Sequence, residues 1–129
     1  MSSPFIFIAT NRLKPDAYEA ERRRVPGLVE FIEAGEPRLL AFNEYVNAEH
    51  TEVTVVQVHR DAASMEFHMG VVGERAAQAY AETLDATTRI QVFGTPSDAV
   101  VETLRVQAGA GVPLTVHAEH LGGFTRIGN

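Results

Sequence analysis

The sequence predicts an α+β domain in which two strand–helix–strand units interleave. Three observations carry this. Four short runs are rich in β-branched and aromatic residues. Two long segments with apolar residues at helical spacing separate the first run from the second and the third from the fourth. Only three residues, Ala48-Glu49-His50, link the middle two runs, which makes those runs an antiparallel hairpin.

The first strand is read at residues 4–10 (PFIFIAT), an apolar run of strand length, followed by a turn over Asn11 to Lys14. Pro15 suits the first position of a helix. Tyr18, Arg22, Val25, Leu28, Val29 and Ile32 then recur on one helical face, and Gly35 is a candidate end. Pro26-Gly27 interrupts that face. Pro26 has no N–H to offer residue 22, so a kink or two shorter helices is expected. Residues 38–47 and 51–60 form the hairpin. Asp61 is a good N-cap for a second long helix that ends near Asp85, with Met65, His68, Met69, Val72, Ala76, Ala79 and Tyr80 on one face. A fourth strand is read at 87–95, a third helix from Pro96-Ser97-Asp98 to about Gln107, a break at Gly109-Ala110-Gly111, and a last strand at 113–121. The order β-α-β-β-α-β is the ferredoxin-like split βαβ arrangement, in one domain over 1–129 with its core at about 4–95 and a C-terminal extension at about 97–121.

The third strand is apolar on both sides: Val53, Val55, Gln57 and His59 alternate with Thr54, Val56 and Val58. Helices on one sheet face leave the other to be covered, and a second copy of the chain is the simplest cover, so a homodimer is expected.

Composition removes several functions. The 129 residues include no cysteine, which excludes disulfides, thiolate nucleophiles and thiolate zinc sites. The formal charge of −6 argues against nucleic acid as a partner, and Arg22-Arg23-Arg24, set among Glu19, Glu21, Glu30 and Glu33, reads as a solvated helix face. Phe5 to Ile8 is too short for a signal-peptide core, and no apolar run reaches the roughly 20 residues of a membrane span, so the expected compartment is the cytoplasm, with no membrane partner. There is no phosphate loop, nucleophile elbow or Rossmann fingerprint.

Three stretches resemble the antibiotic biosynthesis monooxygenase-like family of dimeric α+β barrels: Glu36-Pro37-Arg38-Leu39-Leu40 leading into Phe42 to Val46; Val56-Gln57-Val58-His59-Arg60-Asp61; and Met65-Glu66-Phe67-His68. The resemblance covers about residues 4–95. It implies a cofactor-independent monooxygenase acting on an aromatic or polyketide-like small molecule. Two alternatives are a dimeric small-molecule-binding or stress-associated module without turnover, and a haem-binding, haem-degrading oxygenase with His68 as its axial ligand. The chain departs from better-known members in having no tryptophan, and it carries Thr10-Asn11 near where some haem-degrading members use an asparagine. The extension is expected to resemble the arm that some dimeric barrels lay across the partner.

His68 is the candidate catalytic residue, because helical spacing sets a titratable imidazole inside the apolar stripe facing the sheet. Its alternative is a core histidine satisfied by a carbonyl or carboxylate. Asn43, Tyr45, Gln57, His59, Gln91 and Phe93 are candidate ligand contacts. If Asn43, Tyr45, Gln57 and Gln91 converge, they line an apolar cavity with a few polar anchors; otherwise they form a polar network at the dimer interface. The register that decides this is not legible. His117-Ala118-Glu119-His120 offers too few ligands on one strand face for a metal, so no metal and no cofactor are expected.

Overall fold

The structure, a computed structural model, describes residues 3–126; residues 1–2 and 127–129 of the domain read from the sequence lie outside the described residues. Eight elements follow in the order β1 (Phe5–Leu13), α1 (Tyr18–Gly35), β2 (Leu39–Val46), β3 (Glu52–His59), α2 (Ala62–Glu82), β4 (Leu84–Phe93), α3 (Asp98–Ala108) and β5 (Leu114–His117). The sheet order is β2-β3-β1-β4-β5. The first four strands are mutually antiparallel neighbours, and β5 runs parallel to β4. The ferredoxin-like α+β arrangement is therefore present.

The elements differ from the sequence reading at their ends. β1 continues through Asn11 to Leu13, where a turn was expected, because Asn11 and Leu13 alternate inward and are buried in register with Val53 on β3 and with Thr87 and Leu84 on β4. Pro15 lies in the turn before α1 rather than at its first position. Helix α1 runs unbroken through Pro26. Pro26 and Arg22 both face solvent, so the Arg22 carbonyl that loses its partner can be hydrated. α2 ends three residues earlier than expected and β4 begins three earlier, since Leu84 pairs with Leu13. β5 keeps only four residues of the expected 113–121 strand.

Two details pin the core. Asp61 Oδ1 accepts the Ser64 N–H at 3.0 Å and fixes the start of α2. Gly94, at φ 117°, closes the turn after β4 where a Cβ would lie 3.0 Å from the Phe5 ring, a place only glycine fits.

The inward sheet face carries Phe5, Phe7, Ala9, Ile90 and Val92, packed against Met65 of α2 and Val100, Leu104 and Ala108 of α3. The extension, read from the sequence as lying outside the minimal unit, packs against this face. α3 completes the protein's own core, and β5 adds an edge to its own sheet. Leu104→Ala is expected to cost about 2–5 kcal/mol by leaving a cavity at a site with 0% exposure. A denaturant titration checks this; a midpoint shift equivalent to less than about 1 kcal/mol would show α3 to be an accessory.

All three helices cover that one face. The other presents the cross-strand rows Ala41–Val58–Ile6–Phe93 and Asn43–Val56–Ile8–Gln91. Its apolar members are half-buried in the single chain.

Candidate active site

A cavity of about 220 Å³ lies between α1, α2 and the inward sheet face. Its walls are mainly apolar: Phe7, Ala9, Leu28, Ile32, Phe42, Val55, Met65, Met69 and Val72. Exposed Arg75 of α2 stacks on Phe31 of α1, 3.9 Å from the ring centre, and ties the two helices together. Four polar stations interrupt the walls.

The first is His68. It follows Met65 by three residues on α2, so the same turn that buries Met65 buries the imidazole at 4% exposure. Its Nδ1 meets both carboxylate oxygens of Glu36 at 2.9 Å. Glu36, just past the end of α1, is itself 2% exposed. A carboxylate at Nδ1 holds the proton there, which leaves Nε2 with its lone pair. Among the described residues no protein group bonds to Nε2, yet the nitrogen is not sealed off, and His68 lines the cavity. Burial pushes its pKa below the usual histidine value, against the upward pull of Glu36.

Beside it lies a second station. Gln57 of β3 lines the cavity, and its Oε1 meets His59 Nε2 at 2.8 Å. His59 Nδ1 meets Ser64 Oγ at 2.7 Å. Burial, then the neighbouring His68, lowers the His59 pKa to about 3, so this ring is neutral.

The third station is a group of charges. Glu44 of β2 lines the cavity together with Arg24 of α1. Arg24 donates to both oxygens of Glu21 at 2.8 and 2.6 Å, and Thr83 Oγ1 donates to Glu21 at 2.7 Å. Glu44 hydrogen-bonds Glu21, and two carboxyl groups in that contact share one proton. Burial and then Glu21 push Glu44 up to about 9, so it holds the proton. Burial alone would raise Glu21, but its bonds from Glu44, Arg24 and Thr83 outweigh that and bring it to about 2. This corrects the reading of Arg22-Arg23-Arg24 as a wholly solvated face. α1 turns Glu21, Arg24, Leu28 and Ile32 toward the sheet, and the buried charges are tolerated because each is paired.

At the far end, Asn11 Oδ1 lies 2.6 Å from Tyr80 Oη and 2.7 Å from Thr87 Oγ1, and the two hydroxyls also touch, so two hydroxyl protons serve three contacts.

The candidates from the sequence separate into two groups. His68 and Gln57 converge on the cavity. His59 adjoins it with 0% exposure and both ring nitrogens engaged, so it contacts no ligand directly. Asn43, Tyr45, Gln91 and Phe93 are on the opposite sheet face, which removes the four-residue convergence entertained from the sequence. Asn43 and Gln91 end one row with Val56 and Ile8 between them, three strand spacings or about 14 Å apart. Sequence reasoning missed Glu36, Glu44, Glu21 and Arg24. The available signal is strand alternation, which puts Glu44 on the face of Phe42, opposite Asn43 and Tyr45. His117, the first residue of the candidate metal run, stacks on Phe93 with ring centres 5.2 Å apart. Among the described residues no group of three or more His, Cys, Asp or Glu is arranged to hold a metal ion, and no helix is long and apolar enough to cross a membrane.

No protein-family model and no curated protein matches the sequence. Solved structures do match the fold. MupZ from Pseudomonas fluorescens is 18% identical, with a TM-score of 0.70; the match covers 97% of this chain and 96% of that one, and so includes the α3–β5 extension. PA3566 from Pseudomonas aeruginosa is 23% identical, covering 71% and 93%, with a TM-score of 0.60. An antibiotic biosynthesis monooxygenase is 19% identical, covering 72% and 99%, with a TM-score of 0.60. The chain thus has the ferredoxin-like α+β fold found in structures of antibiotic biosynthesis monooxygenases.

Proposed function

We propose that this protein is a cofactor-independent monooxygenase that uses His68 as a base on a compact aromatic or polyketide-like molecule held in the cavity. The observation that carries the reading is the Glu36–His68 pair, a buried imidazole on the wall of an apolar cavity with Nδ1 tied to a carboxylate and Nε2 unpaired among the described residues. Such a pair removes a proton from an activated carbon, and Glu36 stabilises the imidazolium that forms. The carbanion, delocalised onto an adjacent oxygen, forms a C–O bond with dioxygen, and the peroxide takes the proton back from His68. Removal of the second proton at that carbon breaks the O–O bond and leaves a carbonyl; the departing hydroxide takes the imidazolium proton and leaves as water. A methylene and dioxygen thus become a ketone and water.

The cavity size supports a substrate of one or two fused rings, since drug-sized sites run from about 300 to 1,000 Å³. A haem would need His68 Nε2 as its axial ligand inside this same space, which is too small for a porphyrin. Convergent polar groups weigh against a purely passive binding module. Oxygen uptake is measured with a panel of one- and two-ring molecules that carry an activated methylene, such as 2-indanones and 2-tetralones: a rate above the protein-free control for at least one is expected, and no acceleration for any contradicts the reading.

We propose further that the protein works as a homodimer whose second copy covers the open sheet face, because Ile6, Ile8, Val56, Val58 and Phe93 form an apolar patch that no helix of this chain reaches. Light scattering on the eluting protein is expected to give twice the 14.1 kDa chain mass. A monomer mass contradicts the dimer and leaves the cavity chemistry standing.

A further inference from the structure

Gln57 shares the cavity wall with His68. Its side chain sits on the inward face of β3, paired with Phe7 on β1 and Phe42 on β2, and is 4% exposed. The Phe42 ring is 6.1 Å from the His68 ring, and the His59 and His68 rings are 5.6 Å apart, so the amide is a neighbour of the base. One end of the amide is occupied by His59. Among the described residues nothing accepts from the other end, the nitrogen, which borders the cavity.

Which end is which follows from satisfying each group in the chain Ser64–His59–Gln57. The Ser64 hydroxyl makes no other side-chain hydrogen bond among those described. When it donates to His59 Nδ1, the ring proton sits on Nε2 and donates to Gln57 Oε1, and all three groups are paired. The reverse arrangement leaves the hydroxyl proton with no partner and turns the amide oxygen toward the cavity. Ser64 is held by the Asp61 cap at the start of α2, and His59 is fully enclosed, so the chain is rigid.

We infer that Ser64 and His59 are positioning residues that lock Gln57 with its N–H2 group facing the ligand, and that the cavity selects ligands by an anionic oxygen, a phenolate or enolate, placed against that amide. Two N–H donors beside a base suit an acid whose conjugate base puts its charge on oxygen. Anilines and other molecules that offer only donors at that point are disfavoured. This rests on His68 facing the ligand and deepens that reading, but it concerns binding and needs no turnover.

The test compares 4-nitrophenol, whose phenolate has its own visible absorption band, with 4-nitroanisole, which has the same ring and no ionisable oxygen. The wild-type protein is expected to bind the phenol at least tenfold more tightly than the anisole, with the phenolate band present in the bound state. Gln57→Leu keeps the volume and is expected to lose about 10- to 100-fold in phenol affinity, the worth of a hydrogen bond to a charged group, with anisole affinity unchanged. Ser64→Ala frees the His59 tautomer and lets the amide turn, so the phenol preference is expected to fall there as well, while Ser64→Thr, which keeps the hydroxyl, retains it. Equal losses for both ligands in Gln57→Leu would overturn the inference. So would an undiminished phenol preference in Ser64→Ala, or a wild-type protein that binds both ligands alike. Oxygen uptake in the same variants separates the two claims. A phenolate-selective protein without turnover keeps this inference and rejects the monooxygenase; turnover without phenolate selectivity does the reverse.

Discussion

His68→Asn is expected to lower oxygen-dependent turnover by about 10²- to 10⁴-fold, the usual worth of a general base, while the protein stays folded. Asparagine suits this test because its side-chain N–H2 lies close to where Nδ1 sits. It can still donate to Glu36, and Nε2 is simply deleted. His68→Ala confuses the result, since it leaves the Glu36 carboxylate buried without a partner, a defect that costs about 3–5 kcal/mol. Glu36→Gln separates charge from geometry. The amide oxygen can still accept from Nδ1, but the negative charge that raises the His68 pKa is gone. A base works when deprotonated, so activity rises with pH through the His68 pKa. Removing the charge lowers that pKa, and the acidic limb of the rate profile is expected to move to lower pH. The maximal rate is expected to fall at least tenfold, because a weaker base removes protons more slowly. An unmoved limb with an unmoved rate would leave the pair with a structural role only.

Glu44→Gln is expected to make the protein progressively more stable than wild type as pH rises from about 5 to about 9. Glu44 stands at about 9 in the folded chain against 4.5 when unfolded. Between those values the folded state binds the extra proton, so the stability contributed at low pH is lost as pH rises toward 9, with a ceiling of about 1.4 kcal/mol per pH unit. Glu21 works in the opposite sense. Its folded value of about 2 gives stability that is present above 4.5 and lost as pH falls toward 2. The groups that set both values are Arg24 and Glu21 on α1, Glu44 on β2, Thr83 after α2, and Glu82 acting on Arg24. Glutamine donates an N–H to Glu21 in place of the carboxylic O–H and does not titrate. At pH 5 the two proteins are expected to melt within about 2 °C of each other; at pH 9 the variant is expected to melt higher by at least roughly 5 °C. A difference independent of pH would show that the carboxyl pair does not share a proton in the folded chain.

The fold was legible because its signals are local. Strand alternation, helical spacing and the Ala48–His50 link each need only a few neighbouring residues. The ends were less legible. Asn11 and Leu13 read as a turn on composition, and only pairing across to Thr87 and Leu84 shows that they belong to β1. The C-terminal segment read as an appendage because nothing local says that Leu104 docks on Ile90 and Val92. For the site, helical phase was enough to pick out His68. Its partner Glu36 lies 32 residues away, and such a pairing is a tertiary fact. Alternation correctly put Gln57 and His59 on one face and Asn43 and Tyr45 on one face; it could not say that these faces are opposite, since that depends on register between strands. The Glu21–Glu44 pair was the hardest to foresee. A charged helix is ordinarily read as solvated, and only the contact with a carboxyl on β2 explains why α1 turns Glu21 and Arg24 inward.

In the proposed reaction His68 presents a deprotonated Nε2 to the cavity with its proton on Nδ1. Nitrogen-15 NMR of histidine-labelled protein near neutral pH reads this directly. The His68 ring is expected to be neutral, with the proton on Nδ1 and a hydrogen-bonded Nδ1–H. A proton on Nε2 in the neutral ring, or an imidazolium that persists well above the usual histidine range, would contradict it.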